Sequence, residues 1–209
     1  MTIDEIMRAA QVIPVLVLDG QIDPAALAET LVAAGLPVIE VTLRTPSALG
    51  AIRAMAAVEG AIVGAGTVLN TTTLDQALEA GSKFIVSPGL TDSLARAVIA
   101  SGVAYLPGIA TSSDLMRGLE LGLDHFKFFP ASALGGPAAL KALAAPFGAV
   151  RFCPTGGIDE ASAPDWLSLP EVMCVGGSWI ARHGDNSLEA IGVRAGRAAN
   201  LTATTGRPL

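Results

Sequence analysis

Eight short runs rich in β-branched and other apolar residues recur at nearly constant spacing along this chain of 209 residues. They begin near positions 12 (VIPVLVL), 37 (PVIEVTL), 61 (AIVGAGT), 83 (KFIVSP), 103 (VAYLPG), 124 (DHFKFFP), 149 (AVRFCPTGG) and 172 (VMCVGGS). Successive starts lie 25, 24, 22, 20, 21, 25 and 23 residues apart. Alanine- and leucine-rich segments with helical periodicity fill the gaps. Strands joined by helical crossovers run parallel, and eight such units in a chain of this length fit a compact (β/α)8 barrel better than an open sheet. Ser47, Thr71, Thr72, Ser112 and Ser113 stand where helices should open, and Gly35, Gly81, Gly102 and Gly122 where they should stop. No linker, low-complexity stretch or shift in composition interrupts the pattern. The expectation is one barrel domain over residues 1–209, with a short extra helix over residues 2–10 at the barrel's bottom.

Composition excludes several alternatives. A mean hydropathy of +0.55 with 15% charged residues is incompatible with a disordered chain. A net charge of -6, a pI near 4.8 and the lack of a basic run argue against nucleic acid as a partner. The first residues, Met1 to Glu5, are acidic where a signal peptide is basic, and the apolar run Val12 to Leu18 is far too short to cross a membrane. Two cysteines, Cys153 and Cys174, are too few for a disulfide framework and lack the spacing of a zinc site. These features together read as a soluble cytoplasmic protein with core thiols and no membrane partner.

In a parallel barrel, chemistry collects where strands end and βα loops begin. Lys127 is the most informative residue there, because it interrupts the apolar string His125-Phe126-Lys127-Phe128-Phe129. Period-two alternation sends Phe126 and Phe128 towards the helices and leaves Lys127 and Phe129 on the inner side. Burial disfavours an ammonium, and a neutral amine is what Schiff-base chemistry on a carbonyl requires. In the second strand the same alternation groups Glu40, Thr42 and Arg44 on one face. A carboxylate there suits general acid and base work, and an arginine suits a bidentate grip on a substrate carboxylate. The alternative is a purely structural pairing of Glu40 with Arg44 or Lys127, or a lysine exposed at the strand tip.

Two glycine pairs complete the set. Thr155-Gly156-Gly157 after the seventh strand and Gly176-Gly177-Ser178 after the eighth stand where phosphate-binding barrels expose backbone N–H groups. Each pair alone is a weak signal, since Gly-Gly also marks tight turns. His125 and His183 are the only histidines, and no cluster has ligand spacing, so metal-assisted chemistry is disfavoured against an imine route. Neither a GxSxG elbow nor a GxGxxG loop follows a strand. A phosphosugar isomerase or synthase working without an imine, and a non-catalytic barrel that senses a sugar phosphate, remain as alternatives.

At these residues the sequence resembles the bacterial 2-keto-3-deoxy-6-phosphogluconate (KDPG) aldolases of the Entner-Doudoroff pathway, which also cleave 4-hydroxy-2-oxoglutarate (KHG). The matching strings are EVTLRT (Glu40 to Thr45), GAGTVLN (Gly64 to Asn70), SPGL (Ser87 to Leu90), KFFPA (Lys127 to Ala131), RFCPTGGI (Arg151 to Ile158) and GGSW (Gly176 to Trp179). The resemblance implies a (β/α)8 barrel, assembly as a homotrimer, and no need of a metal or organic cofactor. It further implies that Lys127 forms the Schiff base and that Glu40 is the general acid and base. Arg44 and Thr67 would hold the pyruvate carboxylate, Pro88 and Phe129 would line the pocket, and Gly156, Gly157 and Ser178 would take the phosphate. Two departures stand out: Ser132, where members often carry glutamate, and Ile180 to His183, where many continue with Val-Pro. They leave the galactonate-series substrate open as an alternative.

Overall fold

Each of the eight apolar runs becomes a strand. The computed structural model describes residues 1–182 and 187–201. Its strands are β1 (Val12–Leu16), β2 (Val38–Thr42), β3 (Ile62–Gly66), β4 (Phe84–Ser87), β5 (Ala104–Ile109), β6 (His125–Phe128), β7 (Arg151–Pro154) and β8 (Val175–Gly177). They pair in parallel in the order β7-β6-β5-β4-β3-β2-β1-β8. The sheet closes on itself through bridges between Phe152 and Val172 and between Thr155 and Gly176. At that seam Phe152 N–H donates to the Glu171 carbonyl at 2.8 Å, and Met173 N–H donates to the Phe152 carbonyl at 3.0 Å. Helices follow the strands in turn: α2 (Pro24–Ala33), α3 (Ala48–Ala56), α4 (Thr71–Glu79), α5 (Asp92–Ser101), α6 (Ser112–Glu120), α7 (Gly136–Ala144), α8 (Ala163–Leu167) and α9 (Leu188–Ala199). The expected (β/α)8 barrel is thus the fold.

The helix ends follow local chemistry, with two changes of residue. Asn70 rather than Thr71 or Thr72 caps α4, accepting from Thr73 N–H at 2.9 Å, and Thr111 rather than Ser112 or Ser113 caps α6. In both, the hydroxyl-bearing residues chosen from sequence lie inside the first turn, because the residue just before them satisfies the orphan amides first. Ser47 stands at the start of α3, but its hydroxyl donates to the Leu18 carbonyl at 2.7 Å and caps no amide. Gly35, Gly81, Gly102 and Gly122 all adopt positive φ where helices stop, as read from sequence.

The extra N-terminal helix is α1 (Ile3–Arg8), opened by a capping box between Thr2 and Glu5. It buries Ile6 and Met7 completely and packs on β5. Asp4 ties it to the barrel: one carboxylate oxygen accepts from Arg8 at 2.7 Å, and the other lies 3.3 Å from Nε2 of His125, the first residue of β6. The Arg8 guanidinium, and then His125, hold the Asp4 carboxyl below its usual range. Phe126 and Phe128 face outward as expected. Phe126 packs on Phe152 at 6.4 Å between ring centroids and over Gly118 of α6, and Phe128 packs on Trp166 of α8 at 6.3 Å. No helix among the described residues is long and apolar enough to cross a membrane.

Candidate active site

With its neighbours turned outward, Lys127 projects into the barrel. Its Nζ donates to Glu40 Oε1 at 3.0 Å and Oε2 at 3.3 Å, across from β6 to β2. Lys127 is 6% exposed and Glu40 3% exposed, so the pair is nearly withdrawn from water. Glu40 sits in the middle of β2, where a polar side chain is held deep in the barrel. A buried pair whose partners also bond each other is what keeps two opposite charges tolerable in that layer.

Glycines make the room. Gly66 faces the Glu40 carboxylate so closely that a Cβ there would overlap Oε1 and lie 2.8 Å from both Cγ and Cδ. Gly108 is in register with Lys127 on β5, and a Cβ on it would run into the Pro88 carbonyl. The Pro88 backbone therefore fills the space beside the lysine. On the other side Cys153 is in register with Lys127 on β7, and Thr155 stands two residues further along, buried. The Phe129 ring centroid lies 5.5 Å from Lys127 Nζ. Gly66 and Gly108 are not among the site residues expected from sequence, and Cys153 is expected there only as a core thiol; alternating glycines in GAGT beside a polar strand face are the available signal for Gly66.

The remaining residues ring the mouth. Thr67 directly follows β3 and has φ 58°, the one non-glycine residue at positive φ among the described residues. Sheet-like bonds on either side hold it: Leu43 N–H donates to Gly66 O at 2.8 Å and Val68 N–H to Val86 O at 3.1 Å. Such strain in a β-branched residue persists where surrounding structure over-determines it, a pattern typical of ligand clamps. Arg44 lies beyond the end of β2, exposed, and pairs with no carboxylate among the described residues. It is not part of the strand's inner face, because β2 ends at Thr42 and the chain turns directly after it, with Arg44 N–H donating to the Thr42 carbonyl at 2.8 Å. Gly156 and Gly157 form the expected turn after β7, both at positive φ. Gly176 and Gly177, by contrast, are strand residues of β8 rather than a loop after it. Their missing side chains make way for Thr155 and the Trp179 ring, so close packing explains that pair. Ser178 follows, exposed.

The two cysteines are free and buried. A hydrogen bond that the Cys174 thiol donates to Cys153, together with burial, pushes that thiol well above its ordinary value, which keeps it a neutral core group. Among the described residues no cluster of three or more His, Cys, Asp or Glu side chains could hold a metal ion, and His183 lies outside those residues.

A lysine buried against a carboxylate at the centre of a parallel barrel defines a small class of chemistries, and sequence comparison decides among them. Residues 3–193 match the family described as "Aldolase: KDPG and KHG aldolase". The chain belongs to the KDPG and KHG aldolase family. One relative in that family, the 2-dehydro-3-deoxy-phosphogluconate aldolase of Zymomonas mobilis, is 58% identical over 182 residues, covering 87% of this chain and 88% of the relative. A crystal structure of a 2-keto-3-deoxy-6-phosphogluconate aldolase from Zymomonas mobilis superposes with a TM-score of 0.95 at 53% identity, covering 98% of this chain and 99% of that one. The KDPG aldolase of Legionella pneumophila, captured with pyruvate as a covalent carbinolamine, superposes with a TM-score of 0.87 at 41% identity, covering 93% and 96%.

Proposed function

We propose that this chain is an imine-forming aldolase that cleaves KDPG to pyruvate and glyceraldehyde 3-phosphate, and KHG to pyruvate and glyoxylate. The observation that carries the reading is the buried contact between Lys127 and Glu40 at 3.0 Å. An amine must lose its proton to attack a carbonyl, and a carbinolamine must gain one to lose water. A proton passing along that one hydrogen bond does both: Lys127 becomes the nucleophile and Glu40 the acid.

Neutral Lys127 adds to the C2 ketone. Glu40 then protonates the carbinolamine hydroxyl, water leaves, and an iminium forms. As a carboxylate again, Glu40 takes the C4 hydroxyl proton through a water molecule. The C3–C4 bond breaks, its electron pair moves into the iminium, and the aldehyde departs. Protonation of the resulting enamine at C3 and hydrolysis of the imine release pyruvate and restore Lys127.

Arg44, exposed and without a carboxylate partner among the described residues, and Thr67, held in its strained turn beside Gly66, are suited to receive the pyruvate carboxylate. Pro88 and Phe129, flanking Lys127, wall the three-carbon end. The Gly156-Gly157 turn and Ser178, just after the adjacent strand β8, offer N–H and hydroxyl donors to the phosphate. The assembled enzyme is proposed to be a cytoplasmic homotrimer acting without metal or organic cofactor.

Incubation with pyruvate and borohydride should give a covalent mass gain that disappears in Lys127→Ala, and pyruvate release from KDPG should be followed with lactate dehydrogenase. No mass gain in the parent protein, or a gain that survives Lys127→Ala, overturns the reading. Comparing gluconate- and galactonate-series substrates in the same coupled assay assigns the C4 preference.

A further inference from the structure

The geometry points to Ser132 as a positioning residue that aims the Gly156-Gly157 turn at the phosphate end of the substrate. This rests on the phosphate role proposed for that turn. Beyond the last residues of β6 and β7 the two chains stay joined by three consecutive hydrogen bonds. Ala131 N–H donates to the Thr155 carbonyl at 2.8 Å, and Ser132 N–H to the Gly156 carbonyl at 3.0 Å. The Ser132 hydroxyl donates to the Gly157 carbonyl at 2.9 Å. Three successive carbonyls of the turn are thus drawn towards the β6 side.

Peptide planarity then fixes the other half of each unit. In a trans peptide the C=O of one residue and the N–H of the next point in opposite directions. Holding the carbonyls of Thr155, Gly156 and Gly157 towards β6 sends the N–H groups of Gly156, Gly157 and Ile158 the other way. The strand on that other side of β7 is β8, with Ser178 at its end. Among the described residues no acceptor takes up the N–H of Gly157 or Ile158. Both glycines of the turn have positive φ, 105° and 74°, and neither has a side chain to anchor it. Of the three bonds, only the one to Gly157 comes from a side chain. It reaches the residue whose carbonyl shares a peptide with the Ile158 N–H. The fit is close as well: a Cβ on Gly157 would lie 2.7 Å from the Ser132 Cβ.

Ser132 therefore acts on substrate through the turn and not on the imine. The consequence is a split between substrates that differ in the phosphate. Ser132→Ala removes the hydroxyl from an exposed position and leaves both backbone bonds in place, so folding is not at issue. For KDPG, KM should rise about 3- to 10-fold, the range of one lost neutral hydrogen bond, with kcat changed less than about 3-fold. For KHG, which has no phosphate, kcat and KM should stay within about 2-fold, and borohydride trapping of pyruvate should match the parent. Competition by inorganic phosphate against KDPG should weaken in parallel, and Ser132→Thr, which keeps the hydroxyl, should restore it.

An unchanged KM for KDPG in Ser132→Ala overturns the positioning role, as does an equal loss on KDPG and KHG. If inorganic phosphate fails to compete in the parent enzyme, the phosphate role of the turn is itself wrong and the inference falls with it. Competition that is intact in the parent and equally intact in Ser132→Ala removes the inference alone.

Discussion

Replacing Lys127 by methionine isolates the energetics of the central pair. Methionine keeps most of the apolar stem and removes the ammonium, leaving a glutamate that is 3% exposed without its one ion-pair partner among the described residues. The variant has two ways to fold. If the carboxylate stays ionised, the buried charge is uncompensated, and breaking such a pair from one side costs about 3–5 kcal/mol. If it folds as the neutral acid, it must take up a proton that the unfolded chain has released above roughly pH 4.3, at about 1.4 kcal/mol per pH unit. At pH 7 that comes to about 3.7 kcal/mol. The two routes agree in size, so a loss of about 3–4 kcal/mol is expected at neutral pH, a drop on the order of 10 °C in Tm for a domain of this length.

The neutral route also has a sign in pH. Between about pH 4.3 and the pH at which the folded glutamic acid of the variant ionises, the folded state holds one more proton than the unfolded state, so the variant loses stability as pH rises. At pH 5 the deficit should shrink to about 1 kcal/mol. Adding Glu40→Gln to Lys127→Met removes the carboxylate, and most of the stability at pH 7 should return together with the loss of that pH dependence. Urea unfolding of the parent, the single variant and the double variant at pH 5 and pH 7 measures all of this. A Lys127→Met protein as stable as the parent at pH 7, or a double variant less stable than the single one, would falsify the reasoning that this pair is desolvated and mutually dependent.

Two further outcomes follow from other parts of the barrel. Gly66→Ala forces the Glu40 carboxylate off its seat, since the new Cβ meets both Cγ and Cδ at 2.8 Å. A displacement near 1 Å at a proton-transfer group can lower kcat by about 10²-fold, so pyruvate release should fall by that order while far-ultraviolet circular dichroism stays unchanged; near-parental kcat would show that the carboxylate does not need this seat. The Asp4 carboxyl is held below its usual range by Arg8 and His125, so its tether of α1 contributes fully above about pH 3.8 and is lost as pH falls through the depressed folded value. Asp4→Asn should therefore raise amide hydrogen exchange in α1 at pH 7 and flatten its dependence on acid, and an α1 equally protected in both proteins would remove the tether.

Much of this protein is written in local sequence. Eight apolar runs at near-even spacing specify parallel strands, because each gap holds one helix and little else. Alternation within two of those strands is enough to turn Lys127 and Glu40 inward, since a one-residue change of face would bury phenylalanines in the site and point charges at the helices. Glycines at helix ends are equally legible, as positive φ is a property of the residue itself. Caps were less so: Asn70 and Thr111 took places given to their neighbours, because a one-residue shift satisfies nearly the same amides.

Tertiary structure decided what depends on approach between segments far apart in the chain. That Lys127 and Glu40 touch at 3.0 Å comes from closure of the barrel, which brings residues 87 positions apart across its interior. Gly66 and Gly108 are necessary for what they admit, the Glu40 carboxylate and the Pro88 carbonyl, and no property of a glycine announces its neighbour. Gly176 and Gly177 look like a phosphate loop in one dimension; in three they are strand residues that make room for Thr155 and Trp179. Hydrophobic periodicity is a one-dimensional signal that survives without the fold, whereas steric accommodation exists only once two segments occupy adjoining space.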